Sequence, residues 1–158
     1  MRSLFAAGLI SIALAASVGA QAPAPLRARD FRILGLTHSA DTADVRRKFG
    51  NPRTVEDRHD PDYPMTQWVY RSFKARFLGT SNISGFLLTG PRVQTARGLR
   101  VGQTRSRVRQ LYGPPPTFDG PQNDCCWSYR DPTTEAHIVQ VRFNGDLVQE
   151  IYLGYVGD

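Results

Sequence analysis

The sequence predicts an α+β fold: a tandem repeat of a short helix plus an antiparallel β-meander, with the helices packed on one face of the sheet. Three observations predict it. The chain is self-similar, with Gly35-Leu36 matching Gly98-Leu99, Val45 matching Val108, Phe49-Gly50 matching Tyr112-Gly113 and Pro52 matching Pro115, all at an offset of 63. Each copy then carries Trp-x-Tyr-Arg, at Trp68 to Arg71 and again at Trp127 to Arg130, an offset of 59. Runs with period-two alternation of apolar and polar residues follow, the signature of half-buried strands.

The elements follow in order. Arg2 and the apolar run from Leu4 to Val18, ending in small residues, read as a secretory signal peptide over residues 1–20. The run is shorter than the roughly 20 residues that span a bilayer, and no cysteine stands near the cleavage point, so neither a transmembrane span nor a lipid anchor is expected. Residues 21–30 read as a short linker, whose Gln21 to Pro25 stretch is stiffened by alternating Ala and Pro. The first unit, 31–95, opens with a helix that Asp41 caps, Val45 and Phe49 stripe and Gly50-Asn51-Pro52 ends. Phe73 to Leu78 and Ile83 to Leu88 are its weaker strand pair. The second unit, 96–158, repeats this with Thr104 as cap, Val108, Leu111 and Tyr112 as stripe and Gly113 as stop. Ile138 to Phe143, the turn Asn144-Gly145-Asp146 and Leu147 to Tyr155 give a strong hairpin signal.

Alternation assigns faces. Trp68, Tyr70, Phe73, Ala75 and Phe77 in the first unit, and Trp127, Tyr129, Val139, Val141 and Phe143 in the second, are expected to meet the helices. The other face is polar and basic, carrying Arg71, Lys74, Arg76, Arg130, Gln140, Arg142 and Tyr152. Arginine and tyrosine are enriched at binding hot spots, so these seven are the candidate partner-binding residues. The chain has 20 Lys and Arg against 14 Asp and Glu, a net charge of +6, and only Lys48 and Lys74 are lysines. That excess favours an acidic protein partner, and export argues against nucleic acid.

With its spaced Gly-Leu, helix cap, Val, Phe or Tyr-Gly-x-Pro and Trp-x-Tyr, occurring twice between about Gly35 and Leu153, the chain resembles the SmpA/OmlA (BamE-like) family and the tandem-repeat β-lactamase-inhibitor-protein-like fold related to it. The resemblance implies a non-enzymatic envelope or secreted protein that meets partners through an open sheet face or connecting loops. BamE-like members are usually lipoproteins of outer-membrane assembly, and this chain lacks the lipidated cysteine. Inhibitor-like members are secreted without a lipid, and none of their recognition residues carries over.

No catalytic site is evident. His38, His59 and His137 lie in turn-like contexts outside any nucleophile frame. The acidic stretch Glu56 to Asp62 lacks the glycine and spaced Glu of a calcium loop and reads as a solvated loop, with no metal or cofactor expected. Cys125 and Cys126 are the only cysteines. Export favours a disulfide, a ring between neighbours demands a distorted backbone, and a free or interchain thiol is the alternative. The expected function is a periplasmic or secreted protein-binding module. A structural envelope component supporting outer-membrane assembly and a secreted inhibitor of a hydrolase are the alternatives.

Overall fold

Each helix is delimited by the residues the sequence offers for it. The first, α1 (Thr42–Phe49), starts at Asp41, whose carboxylate accepts the Asp44 amide at 2.8 Å while the Asp44 carboxylate accepts the Asp41 amide at 3.3 Å. It stops at Gly50, φ +75°, a left-handed conformation that is cheap only for glycine. The second, α2 (Arg105–Tyr112), starts at Thr104, whose hydroxyl accepts the Arg107 amide at 3.3 Å, and stops at Gly113, φ +89°. Helices of eight residues are marginal alone. A sheet supplies the surface they need.

The computed structural model describes residues 23–37, 39–58, 64–78, 82–115, 125–134 and 136–155. The expected signal segment, His38, His59 and the stretch 59–63 fall outside them. The strands are β1 (Thr54–Arg58), β2 (Met65–Val69), β3 (Phe73–Leu78), β4 (Asn82–Leu88), β5 (Cys126–Arg130), β6 (His137–Asn144) and β7 (Leu147–Tyr155). All pairings are antiparallel, in the order β1-β2-β3-β4-β7-β6-β5. The fold is therefore α+β and sheet-dominated, with one continuous seven-stranded sheet. Its two meanders join where Gly85–Leu88 pairs with Gly154–Ile151.

The core lies between this sheet and the helices. One row of paired residues runs Val55, Trp68, Ala75, Phe86, Leu153, Val139 and Tyr129 across all seven strands, and every member but Val55 is buried. The Phe49 ring meets Phe73 at 4.9 Å and the Tyr112 ring meets Tyr129 at 5.3 Å. Arg46 sits 5.0 Å over Trp68, and Arg109 sits 5.1 Å over Trp127. The tyrosine two residues after each Trp closes the helix end: Tyr70 donates to the Gly50 carbonyl at 3.0 Å, and Tyr129 to the Gly113 carbonyl at 3.2 Å.

Three expectations are corrected. Glu56 and Asp57 belong to strand β1, not to an acidic loop; Glu56 pairs with Lys74 at 2.9 Å and Asp57 accepts from the Thr66 hydroxyl at 2.9 Å. Arg71 lies at the tip of the β2–β3 turn, closed by the Tyr70 amide on the Phe73 carbonyl at 2.9 Å, so it leaves the strand alternation that assigned it to the open face. The stretch 23–30 is no free linker, since Leu26 is buried and residues 28–31 form a short 3-10 helix.

What holds that stretch is Arg97. Its guanidinium meets the Asp30 carboxylate at 2.9 Å, the Pro25 carbonyl at 2.8 Å and the Leu111 carbonyl at 3.0 Å, and lies 5.3 Å over the Tyr112 ring. Burial pushes the Tyr112 phenol up to about 12, so that hydroxyl stays protonated and bonds the Thr95 hydroxyl at 2.8 Å. Asp30 is only 6% exposed. Removing one partner of a buried ion pair strands the other charge, so Arg97→Ala is expected to cost about 3 kcal/mol in urea unfolding. A loss below about 1 kcal/mol, the range of a surface pair, would contradict the buried strut.

Candidate functional site

The parity that buries one residue turns its neighbour to the opposite face. There the rows read Glu56, Gln67, Arg76, Gly85, Gly154, Ile138 and Arg130, then Lys74, Leu87, Tyr152, Gln140 and Ser128, then Glu150, Arg142 and Cys126. No described helix covers this face. A concavity of about 730 Å3 opens on it, and its walls run from Arg76 on β3 to Ser128 and Arg130 on β5.

Of the seven residues expected to bind a partner, Arg76, Arg130, Gln140, Arg142 and Tyr152 line this hollow. Lys74 shares the face but is turned outward to Glu56. Arg71, at the hairpin tip, is not among the lining residues. Ser128 and Glu150 fall on the same strand parity, and both line the hollow. Leu87, Ile138 and Tyr155 were missed; Leu87 and Ile138 fall on the polar parity, a signal that their apolar character masked.

The Tyr152 ring that lines the hollow rests on two glycines. Gly85 and Gly154 are directly paired across the β4–β7 seam, and the Tyr152 side chain lies over both. A Cβ at Gly85 would stand 2.7 Å from the Tyr152 ring and hydroxyl, and one at Gly154 would stand 2.4 Å from that hydroxyl. The hydroxyl donates toward the Tyr155 carbonyl at 3.2 Å and the Ser84 carbonyl at 3.4 Å. Burial raises the phenol pKa, against the opposing charge and hydrogen bond of Arg76, so the ring is neutral at neutral pH. The Arg76 guanidinium lies 5.1 Å from the ring centre, a cation–π distance. Among the described residues the lining of the hollow has three arginines and one carboxylate, Glu150, which pairs with Arg142 at 3.4 Å.

The other chemically suggestive groups do not converge here. Cys125 is exposed and Cys126 half-buried, and both are free thiols. Cys126 faces Arg142 on the open side; its pKa is raised, by burial first and then by Cys125, while Arg142 works in the opposite sense. His137 is buried between the rings of Phe31 (4.8 Å) and Tyr155 (4.5 Å), with Nδ1 3.0 Å from the Thr134 hydroxyl and 3.7 Å from Asp131. Hydrogen bonds from Thr133 lower the Asp131 pKa. Among the described residues no group of three His, Cys, Asp or Glu side chains is arranged to hold a metal. Nor is any helix there long and apolar enough to cross a membrane.

No family model and no curated protein matches the chain. Solved structures do. It is similar to an extracellular protein containing a SCP domain from Bacillus anthracis, at 13% identity and a TM-score of 0.52, over 74% of this chain and 43% of that one. A cysteine-rich secretory protein from Staphylococcus aureus matches at 16% identity and a TM-score of 0.50, over 86% of this chain and 47% of that one. A DUF4309 family protein from Bacillus subtilis matches at 16% identity and a TM-score of 0.49, over 77% and 83%. The chain spans less than half the length of the first two, and at these identities the likeness is one of fold.

These likenesses correct the family expectation: they lead to other proteins than the SmpA/OmlA family or the lactamase inhibitors. The physical reason lies in the motif itself. Gly50 and Gly113 end helices at positive φ, Val45 and Val108 are fully buried, and Trp68 and Trp127 lie under arginines. Any short helix resting on such a sheet asks for these residues, so the spacing reports local architecture rather than kinship.

The glycine pair is testable alone. Gly154→Ala places a methyl against the Tyr152 hydroxyl and, at 2.6 Å, the Ser84 carbonyl. It is expected to cost about 1–3 kcal/mol, the usual penalty of overpacking, in chemical unfolding. Neutral behaviour would mean that the ring does not lie on the glycines.

Proposed function

We propose that the chain is a secreted or periplasmic, non-enzymatic protein-binding module that docks an acidic macromolecular partner on the concave basic face of its sheet. The observation that carries the reading is the composition of that hollow: among the described residues Arg76, Arg130 and Arg142, with Gln140 and Tyr152, surround an aromatic floor and one carboxylate. Positive potential in a concave site raises the encounter rate of an acidic surface, and partly sheltered arginines supply directional contacts once it docks. Export rests on the apolar leader read from residues 1–20.

We take the module to consist of two helix-plus-meander units, 31–95 and 96–158. Geometry that recurs at the register read from the sequence supports this. Gly35 and Gly98 share φ +84°, both helix stops are glycines at positive φ, and each Trp-x-Tyr places an arginine over its Trp and a hydroxyl on the helix end. The envelope-assembly and hydrolase-inhibitor roles depended on the family resemblance corrected above. The hollow adds nothing in favour of either.

The triple change Arg76→Glu, Arg130→Glu and Arg142→Glu tests the reading. Binding of a glutamate-rich probe peptide, followed by calorimetry at low salt, is expected to weaken by at least about tenfold, and wild-type binding to fall as salt rises. The far-ultraviolet circular dichroism should be unchanged. Peptide binding that survives in the folded triple variant would rule this face out as the docking surface.

A further inference from the structure

The hairpins β3–β4 and β6–β7 are built alike around one arginine each. In β3–β4 the pairing register shifts between Arg76 and Phe77; in β6–β7 it shifts between Arg142 and Phe143. Immediately before the shift, each arginine faces a cross-strand partner on the open side of the sheet. For Arg142 that partner is Glu150, and the two form an ion pair at 3.4 Å. For Arg76 it is Gly85, which has no side chain.

Arg76 therefore stands where Arg142 has a carboxylate for its neighbour, and among the described residues none is supplied to it. Its Nε is buried and, among the described residues, finds no hydrogen-bond partner. Burying an unsatisfied charged donor is unfavourable, so such groups in a hollow call for an acceptor. The Tyr152 ring beneath holds the guanidinium from one side, and its neutral hydroxyl provides no counter-charge.

On this basis we propose that Arg76 is the anchoring residue of the basic face and takes the carboxylate of a glutamate or aspartate from an extended acidic segment of the partner, in the place that Glu150 fills beside Arg142. The inference rests on the docking reading above and sharpens it to one residue and one ligand group. A guanidinium held flat by an aromatic ring offers its terminal N–H groups to the hollow as a fork, which a planar carboxylate matches with two parallel bonds. Arg142 is the weaker anchor, because Glu150 already occupies it.

The test uses the purified chain and a blocked peptide of alternating Glu and Gly, with the Gln counterpart and inorganic phosphate as controls. Two readouts are followed: affinity by calorimetry, and the Nε–H resonance of Arg76 in an arginine-selective nitrogen-15 spectrum. The Glu peptide is expected to shift that resonance, and the Gln peptide to leave it in place. R76K keeps the charge but loses the fork, and is expected to weaken binding about tenfold. R107K, on the exposed side of α2 away from the hollow, is expected to change it by less than about twofold.

If the Glu peptide binds while R76K matches wild type, or while the Arg76 resonance stays still, the anchor is wrong and the face reading stands. If inorganic phosphate moves the resonance as strongly as the peptide, the carboxylate assignment is overturned. Should the Glu peptide bind no better than the Gln peptide, both the anchor and the docking face fall. The wild-type resonance decides between these outcomes even where a variant loses its fold.

Discussion

The structure depends on the four-residue ladder between β4 and β7. Gly85–Leu88 on one side and Ile151–Gly154 on the other join a four-stranded and a three-stranded meander into one sheet. Without it, Phe86 and Leu153 would end two apolar surfaces in water, and neither eight-residue helix would rest on a core large enough to hold it. With it, a single apolar row crosses seven strands and buries one face. The other face acquires its hollow from the same pairing, since Tyr152 lies on the two glycines that the ladder sets side by side.

The open face then differs between its halves in a way that matters for binding. Arg142 is satisfied inside the molecule by Glu150, at modest strength because its side chain is 60% exposed. Arg76 is more sheltered, held against an aromatic ring and left with an unpartnered Nε. Sheltered charges interact more strongly and are screened less by salt. On the docking reading proposed above, an incoming carboxylate gains most at Arg76, while Arg130 and Arg142 shape the surrounding potential. A donor left unpaired among the described residues and a glycine pair in mid-sheet are both unfavourable for the stability of the free protein.

Much of the architecture was legible in the sequence because it was written in local demands. Asp41, Thr104, Gly50 and Gly113 marked the helix ends, and Asn144-Gly145-Asp146 marked the hairpin turn that the structure contains. Strand β1 escaped notice because Thr54–Arg58 is polar except for Val55, an edge residue left 51% exposed, so no alternation announces it. The β4–β7 ladder escaped because it pairs segments more than sixty positions apart, and nothing local specifies such a partner. Arg71 was misplaced when period-two parity was carried through a turn. Five of the seven face residues came out in the hollow, because strand parity is a strict rule wherever a strand is real. The glycine pair beneath Tyr152 was invisible, since a glycine's role there depends on which strand lies beside it.

Amide hydrogen exchange with and without the acidic probe peptide tests the central claim most directly, that one continuous basic face spanning the β4–β7 ladder receives the ligand. Peptide binding is predicted to slow exchange together in β3–β4 and in β5–β7, on both sides of the ladder, and to leave α1 and α2 unchanged. Protection confined to the helices, or to one meander alone, would contradict it.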